Sequence, residues 1–121
     1  MPSLYATYIG GPTALLEVDG LRLLTDPTFD PGGTDYPTAA YTLHKTQPPV
    51  LAADALGAID AVLLSHDHHF DNLDTTGRAL LARAGAVYTT LAGAARLGGN
   101  ATGLAPWDEV PLGPTVRLTA T

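Results

Sequence analysis

Three of the four histidines in this chain lie within four residues, at His66, His68 and His69. Asp71 follows two residues later, and the apolar run at residues 61–64 that precedes the histidines is typical of a short buried strand. Imidazole nitrogens and carboxylate oxygens are the donors that Zn²⁺ and similar cations take in proteins. The sequence therefore predicts a metal site at the carboxyl end of a strand.

The plainer interpretation is that the three histidines are solvated residues of a turn. Packing them beside Asp67, Asp71 and Asp74 without a cation would, however, bring like charges and unpaired polar groups together. We therefore favour a metal site. A catalytic ion typically takes three protein ligands and keeps one open position, so the remaining acids would orient imidazole N–H groups or hold a second ion. Because the chain has no cysteine, only His, Asp, Glu and water can be ligands.

The elements that precede the cluster follow from alternation and turn residues. The apolar runs at residues 4–9, 14–18 and 21–25 predict three strands, and the Asp19-Gly20 pair between two of them is a strong hairpin signal. Residues 26–49 carry five prolines and no period, which predicts a long loop. Its aromatic and imidazole side chains either cover a pocket or lie on the surface; they are Phe29, Tyr36, Tyr41 and His44.

Strands and helices alternate in the rest of the chain. We expect a short helix over residues 51–56, the strand at 61–64, and a helix that Asp74 caps and that runs to Ala84, with Gly85 just past its end. A strand at 86–90, a helix at 91–97 ended by Gly98, and a strand at 115–119 complete the pattern. A hairpin block followed by alternating strand and helix indicates an α/β or α+β layered fold.

Three stretches make the chain resemble the metallo-β-lactamase superfamily, in particular its small metal-dependent hydrolases of the ascorbate-phosphate-lactonase type. They are residues 10–17 (GGPTALLE), residues 24–27 (LTDP) and residues 65–74 (SHDHHFDNLD). The first two resemble the opening strands of the family, and the third resembles its His-x-His-x-Asp-His signature. The resemblance implies a hydrolase in which a metal-bound hydroxide attacks an ester, lactone, amide or phosphodiester of a small-molecule substrate.

The signature in this chain has one residue more than the pattern of the family. We favour His66, His69 and Asp71 as the nearest equivalents of the metal ligands, and His68 is the competitor of His69. The resemblance implies one or two Zn²⁺ ions, with Mn²⁺ or Fe²⁺ as alternatives.

The resemblance also implies roles for three further positions. Asn72 stands where the family places a histidine of the second metal, which favours a single ion. Asp71 would be the catalytic group that activates water, since a bound divalent ion lowers the pKa of its water ligand and an adjacent carboxylate can take the proton. Asp26 would lie beneath the metal and steady the site.

The family fold is an αββα sandwich of two similar halves, and the resemblance covers its amino-terminal half. The family takes further ligands from the second half, whereas this chain has no histidine after His69. We therefore expect residues 1–121 to be a single, incomplete domain. Alone it would hold metal loosely and show little turnover.

The composition limits the classes of binding partner that we expect. The formal net charge is −6, and the six basic residues are scattered, so nucleic acid is not an expected partner. The amino terminus lacks the features of a signal peptide and no apolar run approaches about 18 residues, so we expect a cytoplasmic protein without a membrane partner.

An alternative function is a non-catalytic metal-binding or assembly half-domain that pairs with a second chain, because an uncovered sheet favours self-association.

Overall fold

Alternating apolar residues at the start of the chain form an antiparallel meander in the computed structural model, which describes residues 3–121. Asp19 and Gly20 both have positive φ (49° and 81°), the backbone that a two-residue hairpin turn requires. The strands are β1 Leu4–Gly10, β2 Thr13–Val18, β3 Leu21–Thr25, β4 Asp35–Pro37, β5 Thr42–His44, β6 Ala61–Leu63, β7 Ala86–Thr90, β8 Ala101–Leu104, β9 Glu109–Pro111 and β10 Arg117–Thr119. The helices are a 3-10 helix at Ala53–Ala55, α1 Thr75–Leu81 and α2 Leu91–Leu97.

Six strands form a mixed sheet in the order β1-β2-β3-β6-β7-β8. The first three are antiparallel, whereas β6, β7 and β8 extend the sheet parallel to β3. This mixed sheet with few helices confirms the predicted α/β class. The parallel register pairs Thr25 with Leu63. The residues that follow these two strands, Asp26 and Leu64, therefore lie together at the carboxyl ends of the strands.

The core lies on one face of this sheet. The register places Leu24, Val62 and Val87 side by side on the central strands, and none of the three is exposed to solvent. Leu73 and Leu80, from the segment that leads into α1 and from α1 itself, belong to the same buried cluster. This packing fixes the position of α1 and of the histidine loop that precedes it.

The structure corrects the expectation of one long loop over residues 26–49. That segment contains the hairpin of β4 and β5. Its turn is closed by the Thr38 hydroxyl, which donates to the carbonyl oxygen of Tyr41 at 2.6 Å and accepts from the Tyr41 N–H at 3.0 Å. Three-residue strands closed by a side chain leave no alternating pattern, which is why the sequence did not predict them.

Other boundaries also differ from the prediction. The helix expected over residues 51–56 is only the 3-10 turn at Ala53–Ala55. α1 ends at Leu81 instead of Ala84, since the N–H groups of Arg83 and Ala84 donate to carbonyl oxygens three residues back, not four. The sequence also missed β8 and β9, and the strand predicted at 115–119 starts two residues before β10 and ends with it. The strand at Ala86–Thr90 and the helix at Leu91–Leu97 are confirmed.

Two buried carboxylates bind the amino-terminal end of α1. Asp74 accepts from the Gly77 N–H at 2.8 Å, as its predicted role of N-cap requires. Asp30 accepts from the N–H and the hydroxyl of Thr76, at 2.8 and 2.6 Å, and from the Tyr36 hydroxyl at 2.6 Å. The hairpin of β4 and β5 is thereby tied to α1 through Tyr36.

We expect Asp30→Asn to destabilise the protein by about 1–3 kcal/mol at pH 7, because it removes one charged acceptor from several buried donors. Burial opposes ionisation of Asp30, but hydrogen bonds from Thr76, Tyr36 and the Thr75 backbone outweigh it and hold the pKa of the carboxyl below its ordinary value of 3.8. A lowered pKa stabilises the fold above about pH 3.8, and this stabilisation is lost as the pH falls through the folded-state pKa.

Urea unfolding of Asp30→Asn and the wild type from pH 7 to pH 3 measures this effect. The difference in the free energy of unfolding should shrink below about pH 4. The exposed Asp54→Asn is the control, and it should match the wild type throughout. A difference for Asp30→Asn that stays constant with pH would contradict the role given to the ionised carboxylate.

Among residues 3–121, the structure contains no helix with the length and apolar character needed to cross a membrane.

Candidate metal centre

The three predicted histidines come together in the loop that follows β6. The His66 Nε2 and His69 Nδ1 atoms are 3.1 Å apart. The ring centroid of His68 lies 5.3 Å from that of His66 and 4.4 Å from that of His69. The His69 carbonyl oxygen accepts from the N–H groups of Asn72 and Leu73, which curls the loop back on itself. The loop thus places three imidazoles close together at the carboxyl end of β6.

A chain of hydrogen bonds fixes the orientation of the His66 ring. The Ser65 hydroxyl lies 2.7 Å from Asp26 Oδ2 and 3.1 Å from His66 Nδ1. Because a carboxylate can only accept, the hydroxyl donates to Asp26 and accepts from a protonated His66 Nδ1. This tautomer leaves the lone pair on His66 Nε2, the nitrogen that faces His69. The arrangement is the one in which a histidine binds a metal ion while its other nitrogen donates to a supporting group.

Asp26 follows β3 and lies against the start of the histidine loop. Its side chain is buried, and it also accepts from the Ser65 N–H at 2.6 Å and from the Asn72 amide at 3.0 Å. The Asn72 amide nitrogen is a donor, so it supports Asp26 and Ser65 (3.2 Å from the hydroxyl) and does not point a lone pair at an ion. Asp26 and Asn72 thus both contact Ser65, the residue before His66.

Asp67 pairs with an arginine of α2, and its Oδ1 also lies 3.7 Å from His68 Nδ1. It is buried and accepts two hydrogen bonds from Arg96 of α2, at 2.9 and 2.6 Å. These bonds lower the pKa of the Asp67 carboxyl to about 2. Arg78 of α1 donates to the Asp67 carbonyl oxygen at 3.0 Å. The two arginines hold the loop against both helices. The sequence did not reveal this role, because its arginines are scattered along the chain. The only general signal is that a buried acid requires a partner.

Two donor nitrogens of this loop lie close enough together to share a zinc ion. Two nitrogens that each lie about 2.1 Å from a tetrahedral zinc ion are about 3.4 Å apart. His66 Nε2 and His69 Nδ1 are 3.1 Å apart, a distance at which they also hydrogen-bond to each other. Within residues 3–121, no group of three or more histidine and acidic side chains is arranged closely enough to hold an ion. The loop also carries His68 and Asp71, whose residues are both exposed.

We expect Asp26→Asn to weaken zinc binding by about 10–100-fold, the usual cost of losing a group that orients a ligand. The amide cannot accept from Ser65 and Asn72 as the carboxylate does, so the His66 tautomer is no longer enforced. Competition against a chelating dye measures the affinity, and circular dichroism checks the fold. Asp54→Asn makes the same charge change at an exposed site and should bind like the wild type. Unchanged affinity in Asp26→Asn would make Asp26 a turn residue only.

A family model described as a beta-lactamase superfamily domain matches residues 5–117 of this chain. The chain therefore belongs to the beta-lactamase superfamily.

Relatives in sequence match a shorter segment. An uncharacterised protein of Mycobacterium tuberculosis is 42% identical over 71 residues, which are 59% of this chain and 18% of that protein. The N-acyl-phosphatidylethanolamine-hydrolyzing phospholipase D 1 of Caenorhabditis elegans is 31% identical over 71 residues, which are 59% of this chain and 19% of the phospholipase.

Solved structures show the same fold. An isothiocyanate hydrolase from Delia radicum gut bacteria aligns with a TM-score of 0.70 at 24% identity, covering 88% of this chain and 43% of that one. A possible metal-dependent hydrolase from Veillonella parvula aligns with a TM-score of 0.71 at 18% identity, covering 92% and 45%. The chain thus spans less than half the length of these neighbours and about a fifth of the sequence relatives.

Proposed function

We propose that this chain carries metal-binding groups of a metal-dependent hydrolase that acts on an ester, lactone, amide or phosphodiester. The observation that carries the proposal is the pair of imidazole nitrogens, 3.1 Å apart, at the end of a parallel strand in a chain of this superfamily. The proposed cofactor is Zn²⁺, with Mn²⁺ or Fe²⁺ as alternatives.

Each residue of the loop has a part in this proposal. A divalent ion supplies a water ligand of lowered pKa and polarises the group under attack. His66 and His69 hold the ion, and the Ser65 and Asp26 chain keeps His66 in the tautomer that can bind it. Asp71 takes the proton of the attacking water, because it is exposed beside the histidines and lines a cavity large enough for a substrate.

We further propose that the chain by itself holds the ion loosely. Two positioned imidazoles are fewer than the three protein ligands that a catalytic zinc ion usually takes. His68 and Asp71 lie on the same short loop, and bringing either one onto the ion with the other two requires the loop to rearrange. Turnover by this chain should therefore be small, and its dependence on metal is the informative quantity.

Hydrolysis assays with ester, lactone, β-lactam and phosphodiester substrates at several zinc concentrations test the proposal. We expect turnover above that of the metal-free chain, lost in Asp71→Asn and kept in Asp54→Asn, which makes the same charge change at an exposed site. Equal rates with and without metal would contradict the proposal. So would full activity of Asp71→Asn at saturating zinc.

One observation favours the alternative, a metal-binding or assembly half-domain. The edge strand β1 exposes Leu4, Tyr5 and Tyr8, each more than 60% accessible. An exposed apolar edge favours association with another chain. Sedimentation at several concentrations distinguishes the two functions when it is combined with the assay: a stable dimer without metal-dependent turnover would support assembly over catalysis.

A further inference from the structure

We propose that the cavity beside Asp71 binds an apolar, uncharged part of the substrate, so that the protein prefers neutral esters or lactones to phosphodiesters. This inference rests on the hydrolase function proposed above, since it names the substrate class of the same site. It follows from the shape, the rigidity and the charge of the cavity.

The cavity has a volume of about 480 Å³ and lies between the histidine loop and the hairpin of β4 and β5. This volume is within the range of about 300–1,000 Å³ that is usual for small-molecule sites. Phe70 and Asp71 of the histidine loop line one side of it. The rest of the lining is largely apolar and includes Pro12, Leu43, Pro48 and Pro49. An apolar group placed here would lie beside Asp71, the group proposed to take the proton of the attacking water.

The hairpin is a fixed wall of this cavity. The ring of Tyr36 stacks on that of Phe70, with a centroid distance of 4.6 Å and an angle of 10° between the planes. The Tyr36 hydroxyl is buried and donates to Asp30, which anchors the ring at its far end. Lys45 pairs with Gly33 and Thr34 through backbone hydrogen bonds of 2.6 and 2.9 Å. The wall is therefore already formed, and an apolar ligand need not order it.

The lysine and the histidine of the cavity lining are already paired with carboxylates. Lys45 Nζ lies 3.2 Å from Asp74 Oδ2, a carboxylate with no solvent exposure, and His44 Nδ1 lies 2.6 Å from Asp35 Oδ1. Asp71 also belongs to the lining and adds a carboxylate to it. An anionic substrate group in the cavity would meet the Asp71 carboxylate without an unpaired cation to balance it, which disfavours its binding.

The amino-terminal end of α1 is also not available to bind an anion. Phosphate groups commonly bind at helix amino termini or to arginine side chains. Here Asp74 and Asp30 take the first N–H groups of α1, at 2.8 Å from Gly77 and Thr76. The lining of the cavity contains no arginine. The proposed preference therefore differs from the phosphodiester chemistry that the name of the Caenorhabditis elegans relative describes.

Binding to the metal-free chain tests the proposal with two matched probes, neutral acetanilide and anionic methyl phenyl phosphate. Chemical shifts of the Leu43 methyl groups report occupancy of the cavity. We expect acetanilide to bind at least about tenfold more tightly than the phosphate. Phe70→Ala should weaken acetanilide binding about tenfold, whereas Trp107→Ala, which removes an exposed aromatic ring outside the cavity, should not.

A second variant tests the charge argument directly. Thr46 is an exposed residue of the lining, so Thr46→Lys adds a cation without disturbing the core. It should strengthen phosphate binding several-fold and leave acetanilide binding unchanged. Phosphate binding to the wild type that equals or exceeds acetanilide binding would overturn the proposal, as would acetanilide binding that Phe70→Ala does not weaken. Because these measurements use no metal, their failure is distinguishable from failure of metal-dependent turnover.

Discussion

Replacing either His66 or His69 by alanine should abolish zinc binding at concentrations that saturate the wild type. The two ring nitrogens are 3.1 Å apart and fit one ion, so removing either leaves a single positioned imidazole. We expect a loss larger than the about 10–100-fold that follows from changing a supporting group. Isothermal titration with zinc measures both the affinity and the stoichiometry.

His44→Ala is the matched control, because it removes the one histidine outside the loop. The His44 side chain is paired with Asp35 on the hairpin, and zinc binding should be like that of the wild type. His68→Gln should be milder than His69→Gln, since the His69 nitrogen is the one that faces His66. Loss of binding in His44→Ala alone would refute the assignment. The reverse order for the two glutamine variants would favour His66 and His68 as the pair.

Gly77→Ala should destabilise the protein by about 3 kcal/mol or more, a large part of the 5–15 kcal/mol that a domain of this size typically has. A Cβ atom at Gly77 would lie 1.9 Å from the carbonyl oxygen of Pro27 and 2.6 Å from its carbonyl carbon. Both are backbone atoms, so α1 would have to move away from the turn that holds Asp26. Helix propensity alone predicts the opposite sign, a gain of about 1 kcal/mol.

Ala79→Gly is a suitable control, because it makes the reverse change at an exposed position of the same helix. It should cost about 1 kcal/mol through propensity alone. Urea unfolding of both variants measures the free energy of unfolding. A Gly77→Ala variant as stable as the wild type would show that α1 and the Asp26 turn are not as tightly packed as the structure indicates.

The parts of the fold that the sequence predicted are those with a local signal. The meander of β1, β2 and β3 followed from alternation and from the Asp19-Gly20 turn, and the Asp74 cap followed from its place before an apolar helix. β8 was missed because Ala101 and Gly103 have weak strand propensity. Gly103 is nevertheless needed, since a Cβ there would lie 2.8 Å from the Leu91 Cα of α2.

The parts of the site that could not be predicted depend on contacts between distant residues. The histidine cluster is visible as three residues in four positions. The pairing of Asp67 with Arg96 spans 29 residues, and nothing in the sequence connects them. The same holds for Lys45, which reaches the buried Asp74 from the hairpin. The sequence therefore indicated which residues could bind metal, whereas the structure shows which side chains hold them in place.

We propose that His66 and His69 bind one divalent ion together. Proton–nitrogen correlation spectra of the imidazole rings, recorded during a zinc titration, test it most directly. We expect the His66 Nε2 and His69 Nδ1 resonances to shift together and the change to be complete near one equivalent of zinc, while the resonances of His44 stay in place. Shifts of His44 in step with the others, or no shift of His66 and His69 in excess zinc, would contradict a shared ion at His66 and His69.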